Sequence, residues 1–174
     1  MDGGEMTLPT NKINGNNIFW DLDGVLRDLS FRFTNQEIAT WTYVNSHGDG
    51  ICEHIDKNLN DLLKAPPCEY LDLALMCEPL HIVSAQSDLW RPYTSAWTDI
   101  HVPEARVKYI NNMEDKMKYL ESGRRILVDD YPFYPDYTHI ILINRPWNKE
   151  TVAPRRANTP EELMVYLEGF LNGK

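Results

Sequence analysis

Apolar residues in this chain are bunched into short runs, separated by longer stretches where apolar and polar positions follow helical spacing. Four runs have strand length and are nearly continuously apolar: "NIFW" ending at Trp20, "LHIVSA" over 80–85, "RILVDD" over 125–130 and "HIILIN" over 139–144. Unbroken apolar runs of this length are the pattern of parallel strands buried on both faces. Val107 to Ile110 reads as a short edge strand. "SDLWRPYTSAWTDI" and "MEDKMKYLES" have helical length, provided Pro92 sits in the first turn of the former. The last segment predicts a helix capped by Thr159, with Pro160 at its first position, Glu162 completing a capping box and Gly173 at its end. Its buried face would carry Leu163, Leu167, Phe170 and Leu171. Alternating strands and helices predict an α/β fold, a doubly wound (Rossmann-like) parallel sheet whose ligands bind beyond the carboxyl ends of the strands.

Residues 29–79 depart from this alternation. Predicted there are a helix near 35–45, a turn at "HGDG", a second helix near 53–64 and the rigid "APP". The segment therefore reads as a small, mostly helical cap inserted after strand 1. Residues 18–28 and 80–174 then form the α/β core, and 1–17, polar and glycine-rich, a flexible leader without the basic start and apolar middle of a secretory signal.

Charge and composition narrow the partners. The 174 residues suit one domain with a small insertion. A formal net charge of -9 disfavours a long nucleic-acid backbone, whose binding requires lysine and arginine against phosphate. No apolar run approaches membrane-spanning length. Cys52, Cys68 and Cys77 are odd in number and form no CxxC pair, which argues against a zinc knuckle or disulfide framework and for a reducing cytoplasm. Self-association as a homodimer is left open.

The strand ends carry the candidate chemistry. "IFWDLDGVLRD" places Asp21, Asp23 and Asp28 around Gly24, where the chain must turn sharply. Crowded carboxylates raise one another's pKa unless a cation or proton intervenes. Asp129 and Asp130 end another strand and offer further oxygen ligands, and Ser84 lies near the end of a third. An all-oxygen set suits Mg²⁺, which keeps several waters and accepts one or two carboxylates plus a substrate phosphate. Of Lys108, Lys116 and Lys118, Lys116 follows two acidic residues at a helix start, the end that faces the catalytic edge. Lys118 is turned roughly 200° away on that helix.

Taken together, "DLDGV", Ser84 in "HIVSAQ", a lysine before the last motif and "LVDDYP" resemble the four motifs of the haloacid dehalogenase superfamily of aspartate-nucleophile phosphohydrolases. "LVDDYPFY" followed by "HIILINRPWN" is most similar to its small 5'(3')-deoxyribonucleotidase-like or 5'-nucleotidase branch. The resemblance implies that Asp21 attacks phosphorus. It implies that Asp23 protonates the leaving alcohol and then activates water, its main-chain carbonyl on the metal. Ser84, Lys116 and the amides of Leu22 and Ala85 would hold the phosphoryl group. Mg²⁺ would sit among Asp21, Asp23, Asp129 and Asp130, with either member of the last pair in direct contact. The implied partner is a small phosphorylated substrate, a (deoxy)nucleoside 5'-monophosphate. Another small phosphoester, a phosphorylated polynucleotide end, transfer to another alcohol, or phosphate and metal binding without turnover are the alternatives.

Other residues read more plainly. Asp28 is expected to cap the start of the insertion. Phe31, Phe33, Trp41 and Tyr43 fit packing better than base stacking, and Trp90, Trp97 and Trp147 fit core or edge packing. The five histidines form no ligand pattern, and Arg91 and Arg145 are minor phosphate-binding candidates.

Overall fold

The computed structural model describes residues 12–121 and 123–173. Its elements in chain order are β1 (Ile13–Asn14), β2 (Ile18–Trp20), α1 (Ile51–Lys57), α2 (Asp61–Lys64), α3 (Leu71–Leu75), β3 (Cys77–Glu78), β4 (His81–Ala85), α4 (Arg91–His101), β5 (Arg106–Ile110), α5 (Met113–Glu121), β6 (Ile126–Asp129), β7 (Ile140–Ile143), β8 (Arg156–Ala157) and α6 (Pro160–Leu171). A parallel six-stranded sheet in the order β5-β4-β2-β6-β7-β8 forms the centre, as the doubly wound pattern predicts. From β2 the chain builds outward through β4 to β5, then returns to the other side of β2 for β6, β7 and β8. This reversal opens a crevice at the carboxyl end of β2, the place where such sheets bind ligands.

Successive residues of each strand feed opposite layers. Ile18, Trp20, Ile82, Val128 and Ile141 pack in one layer with Trp97 of α4 and with Leu163 and Leu167 of α6. Phe19, Val83, Leu127, Ile140 and Leu142 pack in the other with Leu120 of α5. Burial on both faces explains why these strands lack a polar alternation. The edge strand β5 does alternate, with only Ile110 buried.

The helix ends largely follow their capping chemistry. Pro92 falls in the first turn of α4, and Thr159 caps α6 by accepting from the Glu162 amide at 3.3 Å. The Glu162 carboxylate accepts from the amide of Asn158 at 2.7 Å, one residue before the expected box partner. Leu171 is 40% exposed, so the buried face of α6 ends at the partly buried Phe170.

Three expected boundaries change. Residues 1–11 of the expected leader lie outside the described residues, but its end is ordered: β1 pairs with β3, and Ile13 is buried in the main core. The segment expected to form a helix near 35–45 holds only a 3-10 turn at Glu37–Ala39, and 53–64 splits into α1 and α2. The inserted unit is also shorter than 29–79. Tyr70, Leu71, Leu73, Ala74 and Cys77 belong to the main core, whereas Leu29, Ile55, Leu62 and Ala65 pack in a separate cluster under Trp90.

Candidate active site

The register of the sheet sets the floor of the site. Trp20 pairs with Val128 and with Ile82, so Asp21, one residue further, emerges beside Asp129, with β4 and its Ser84 on the opposite flank. The Asp21 amide donates to the Val128 carbonyl at 2.8 Å, which fixes where its side chain begins. Lys116 arrives from the first turn of α5, whose start is capped by Asn112 through a 2.8 Å bond from the Asp115 amide. Its ammonium donates to Asp21 Oδ1 and to Asp129 Oδ2, both at 2.6 Å. The other two lysines lie elsewhere: Lys118 is exposed and paired with Glu114, and Lys108 is exposed on β5.

The two adjacent aspartates are held differently. Asp129 Oδ2 also accepts from the Tyr134 hydroxyl at 2.6 Å, and its Oδ1 accepts from the Tyr131 amide at 2.9 Å. Asp130 Oδ2 accepts from Trp147 Nε1 at 3.0 Å, and Asn148 Nδ2 holds the Asp130 carbonyl at 2.8 Å. Asp21, Asp129 and Asp130 each present a carboxylate oxygen within a group spanning 4.8 Å.

Three buried carboxylates against one ammonium leave an excess of negative charge. Burial, with repulsion from Asp129 and Asp23 and against the pull of Lys116, pushes the Asp21 carboxyl up to about 7. Burial and then Asp129 and Asp21 raise Asp130 well above the carboxylate range. Burial alone would lower Lys116, but Asp129 and Asp21 together hold it above its ordinary value. An all-oxygen anionic set that cannot comfortably keep its own charge is a fit place for a hard divalent cation.

Gly24 shows how tightly this corner is built. Its φ is +84°, and a Cβ there would lie 2.1 Å from Asp130 Oδ2. The turn of "DLDGV" therefore needs glycine both for its backbone and for the space it leaves to Asp130.

Asp23 stands apart from the three clustered carboxylates. Its Oδ1 accepts from Arg27 Nε at 2.7 Å and its Oδ2 from Gln86 Nε2 at 2.6 Å. Any metal contact from this residue falls to the main-chain carbonyl that the resemblance assigned. Arg27 is fully buried and also donates to the Leu62 carbonyl and Thr94 Oγ1.

These groups open into a cleft of about 760 Å³, lined on the core side by Asp21, Asp23, Ser84, Ala85 and Lys116. Leu22 does not line it; its side chain is fully buried, so any contribution comes from its amide. Trp41 and Tyr43 form part of the facing wall, joined by Trp90, Tyr131 and Trp147. Ring contacts run along this wall: Trp41 meets Tyr131 edge-on at 5.2 Å, and Tyr43 lies tilted against Trp147 at 5.9 Å.

Trp97 is wholly core and Trp90 packs in the cluster with Leu29, Ile55 and Leu62, as expected, though Trp90 also borders the cleft; Trp147 lines the cleft beyond its expected packing role. Phe33 packs on Tyr43 and His54, and Phe31 lies under Arg32. Asp28 caps the turn at Leu29–Arg32 as expected. Neither arginine candidate lines the cleft: Arg145 pairs with Glu69 and the Gly24 carbonyl, and Arg91 with Asp88 and Asn111.

Sequence reasoning missed the partners that orient the acids, namely Arg27, Gln86, Tyr134 and Trp147. Only Arg27 carried a signal, being a basic residue four positions after Asp23. Among the described residues no helix is long and apolar enough to cross a membrane. A scan against protein-family models and a search of curated proteins found no match to this chain.

Proposed function

We propose that the chain is a Mg²⁺-dependent phosphomonoester hydrolase working through an aspartyl phosphate on Asp21, with (deoxy)nucleoside 5'-monophosphates as substrates. One observation carries this reading: Lys116 bridges Asp21 and Asp129 at the floor of an open cleft, beside Asp130. A nucleophilic carboxylate, a cation for the transferring group and a place for a hard metal are the parts that phosphoryl transfer needs.

Asp21 would attack phosphorus, forming the Oδ–P bond as the bond from phosphorus to the ester oxygen breaks. Asp23 gives its proton to the leaving oxygen, then takes one from the water that hydrolyses the acyl phosphate. This divides one difficult displacement into two. Lys116 holds Asp21 in line and offsets charge on the phosphoryl oxygens, with Ser84 and the amides of Leu22 and Ala85 as further donors. Mg²⁺, held by Asp21, Asp130 and the Asp23 carbonyl, would supply charge neutralisation for the phosphoryl group. Asp130 is the better direct ligand of the adjacent pair, because Asp129 already accepts from Lys116, Tyr134 and the Tyr131 amide. The aromatic wall of Trp41, Tyr43 and Trp147 supports a planar leaving group such as a nucleoside.

Phosphate release with Mg²⁺ tests the proposal, measured on nucleoside 5'- and 3'-monophosphates, sugar phosphates and a 3'-phosphorylated oligonucleotide. A preference for nucleotides that Asp21→Asn abolishes is the expected result. Release confined to another ester class would remove the nucleotide assignment, and none from any substrate by folded protein would remove the hydrolase.

A further inference from the structure

We propose that Trp147 is a positioning residue for the metal: its indole N–H engages one oxygen of Asp130, so that this carboxylate meets a cation through a single oxygen and the site takes Mg²⁺ in preference to Ca²⁺. This rests on the metal-dependent phosphatase reading above. Trp147 Nε1 donates to Asp130 Oδ2 at 3.0 Å. The same oxygen lies against Gly24, where a Cβ would come within 2.1 Å of it. Asp130 Oδ1, by contrast, has no hydrogen-bond partner among the described residues, and Asp130 lines the cleft.

The turn that carries the indole keeps it at this distance. Trp147 sits in a 3-10 turn at Pro146–Asn148, shortly after β7. Asn148 is 1% exposed, and its Nδ2 donates to the carbonyls of Asp130 and Ile143, both at 2.8 Å. Its Oδ1 accepts from the Arg145 amide and from Arg156 Nη1, both at 3.0 Å. One turn therefore grips Asp130 twice, at the main chain through Asn148 and at the carboxylate through Trp147.

The neighbouring carboxylates are limited in the same way. Asp21 Oδ1 accepts from Lys116 at 2.6 Å, which leaves its Oδ2. Both oxygens of Asp129 are taken, one by Lys116 and Tyr134 and the other by the Tyr131 amide. The cluster thus presents one unengaged oxygen from Asp21 and one from Asp130. Neither residue can give both oxygens to one cation without weakening its bond to Lys116 or Trp147.

Denticity separates the two hard cations. Ca²⁺ takes roughly six to eight oxygen ligands and accepts carboxylates through both oxygens, whereas Mg²⁺ keeps an octahedral shell with several waters and one or two carboxylates. Single oxygens from Asp21 and Asp130 suit Mg²⁺. Carboxylates free to chelate would suit Ca²⁺, which gives up its water more readily.

Calorimetric titration with MgCl₂ and with CaCl₂ tests this, on native protein and on Trp147→Phe, both without substrate. A phenyl ring keeps an aromatic wall beside Tyr43, whose ring lies 5.9 Å from that of Trp147, but has no N–H to offer Asp130. Native protein is expected to bind Mg²⁺ more tightly than Ca²⁺. In the variant, Mg²⁺ affinity should fall roughly tenfold, the usual consequence of losing a group that holds a metal ligand. Ca²⁺ affinity should hold or rise, because Oδ2 becomes available as a second oxygen, so the ratio of the two affinities moves toward Ca²⁺ by about tenfold or more. General damage to the fold would weaken both metals together and leave that ratio in place. An unchanged ratio, a ratio moved toward Mg²⁺, or a native protein that prefers Ca²⁺ overturns the proposal. If native protein binds neither ion, the metal-dependent reading itself has failed, an outcome distinct from binding with an unchanged ratio.

Discussion

The two walls of the cleft are built by different means. On the core side, the ends of β2, β4 and β6 deliver Asp21, Ser84 and Asp129 from strands buried on both faces, and the spacing of these groups follows from sheet register. On the inserted side, Trp41 and Tyr43 ride on short turns. That unit is held to α4 and the residue before it by Trp97 Nε1 to the Ala65 carbonyl at 2.8 Å and Trp90 Nε1 to Asp56 at 2.7 Å, and to the turn after β2 by Arg27 to the Leu62 carbonyl and by main-chain bonds at Asp28 and Cys68. The core wall has the rigidity that chemistry requires, while the inserted wall offers surface that can vary without disturbing the acids. Substitutions in the first should therefore affect all substrates alike, and substitutions in the second should change their ranking.

The largest effect is expected from Asp21→Asn, which removes the proposed nucleophile and should depress turnover of every phosphoester by several orders of magnitude while the protein stays folded. Comparable residual rates in native and variant protein would contradict the assignment. Next comes Lys116→Met, which leaves two buried carboxylates without their shared cation. A loss of about 3 to 5 kcal/mol in denaturant unfolding is expected, together with loss of turnover; unchanged stability would show that the bridge is not maintained in solution.

Gly24→Ala forces a side chain against Asp130 at a positive φ and should reduce stability by about 1 to 3 kcal/mol. It should also weaken Mg²⁺ binding measured by calorimetry. Equal metal affinity in both proteins would separate Asp130 from the metal.

Acid dependence gives a subtler check. Asp21 holds its proton up to about 7 in the folded chain, against 3.8 ordinarily. Between those values the folded state binds more protons than the unfolded, so this group's contribution to stability is complete below about 4 and is lost as pH rises through about 7. Melting curves without metal should decline across that window, and Mg²⁺ should raise Tm more at pH 8 than at pH 5. An equal rise at both would mean that the metal does not compete with these protons.

The smallest effect belongs to the other wall. Trp41→Ala should raise KM for a nucleoside monophosphate severalfold, about 1 kcal/mol of aromatic contact, and leave KM for a small sugar phosphate unchanged. Parallel changes for both would erase the division between the walls.

The same division governs what could be read from sequence. The central strands were legible because unbroken apolar runs of strand length, alternating with helical segments, match parallel strands buried on both faces, and the acids were legible because they stand at the ends of those runs. Lys116 could be chosen because a helix start faces the edge. The turns of the inserted unit were not legible, since they are stabilised by contacts distant in sequence, such as Trp90 with Asp56, rather than by a repeating pattern. Trp147 was read as packing for a related reason: its bond to Asp130 depends on how β7 lies beside β6. Gln86 reaches Asp23 across 63 positions, with no local signature to announce it.

The most direct measurement is a rapid acid quench of native protein during Mg²⁺-dependent turnover, followed by peptide mass mapping. The account predicts the added mass of one phosphoryl group on the peptide carrying Asp21, absent in Asp21→Asn. Turnover without such an adduct and undiminished in the variant, or an adduct on another residue, would contradict it.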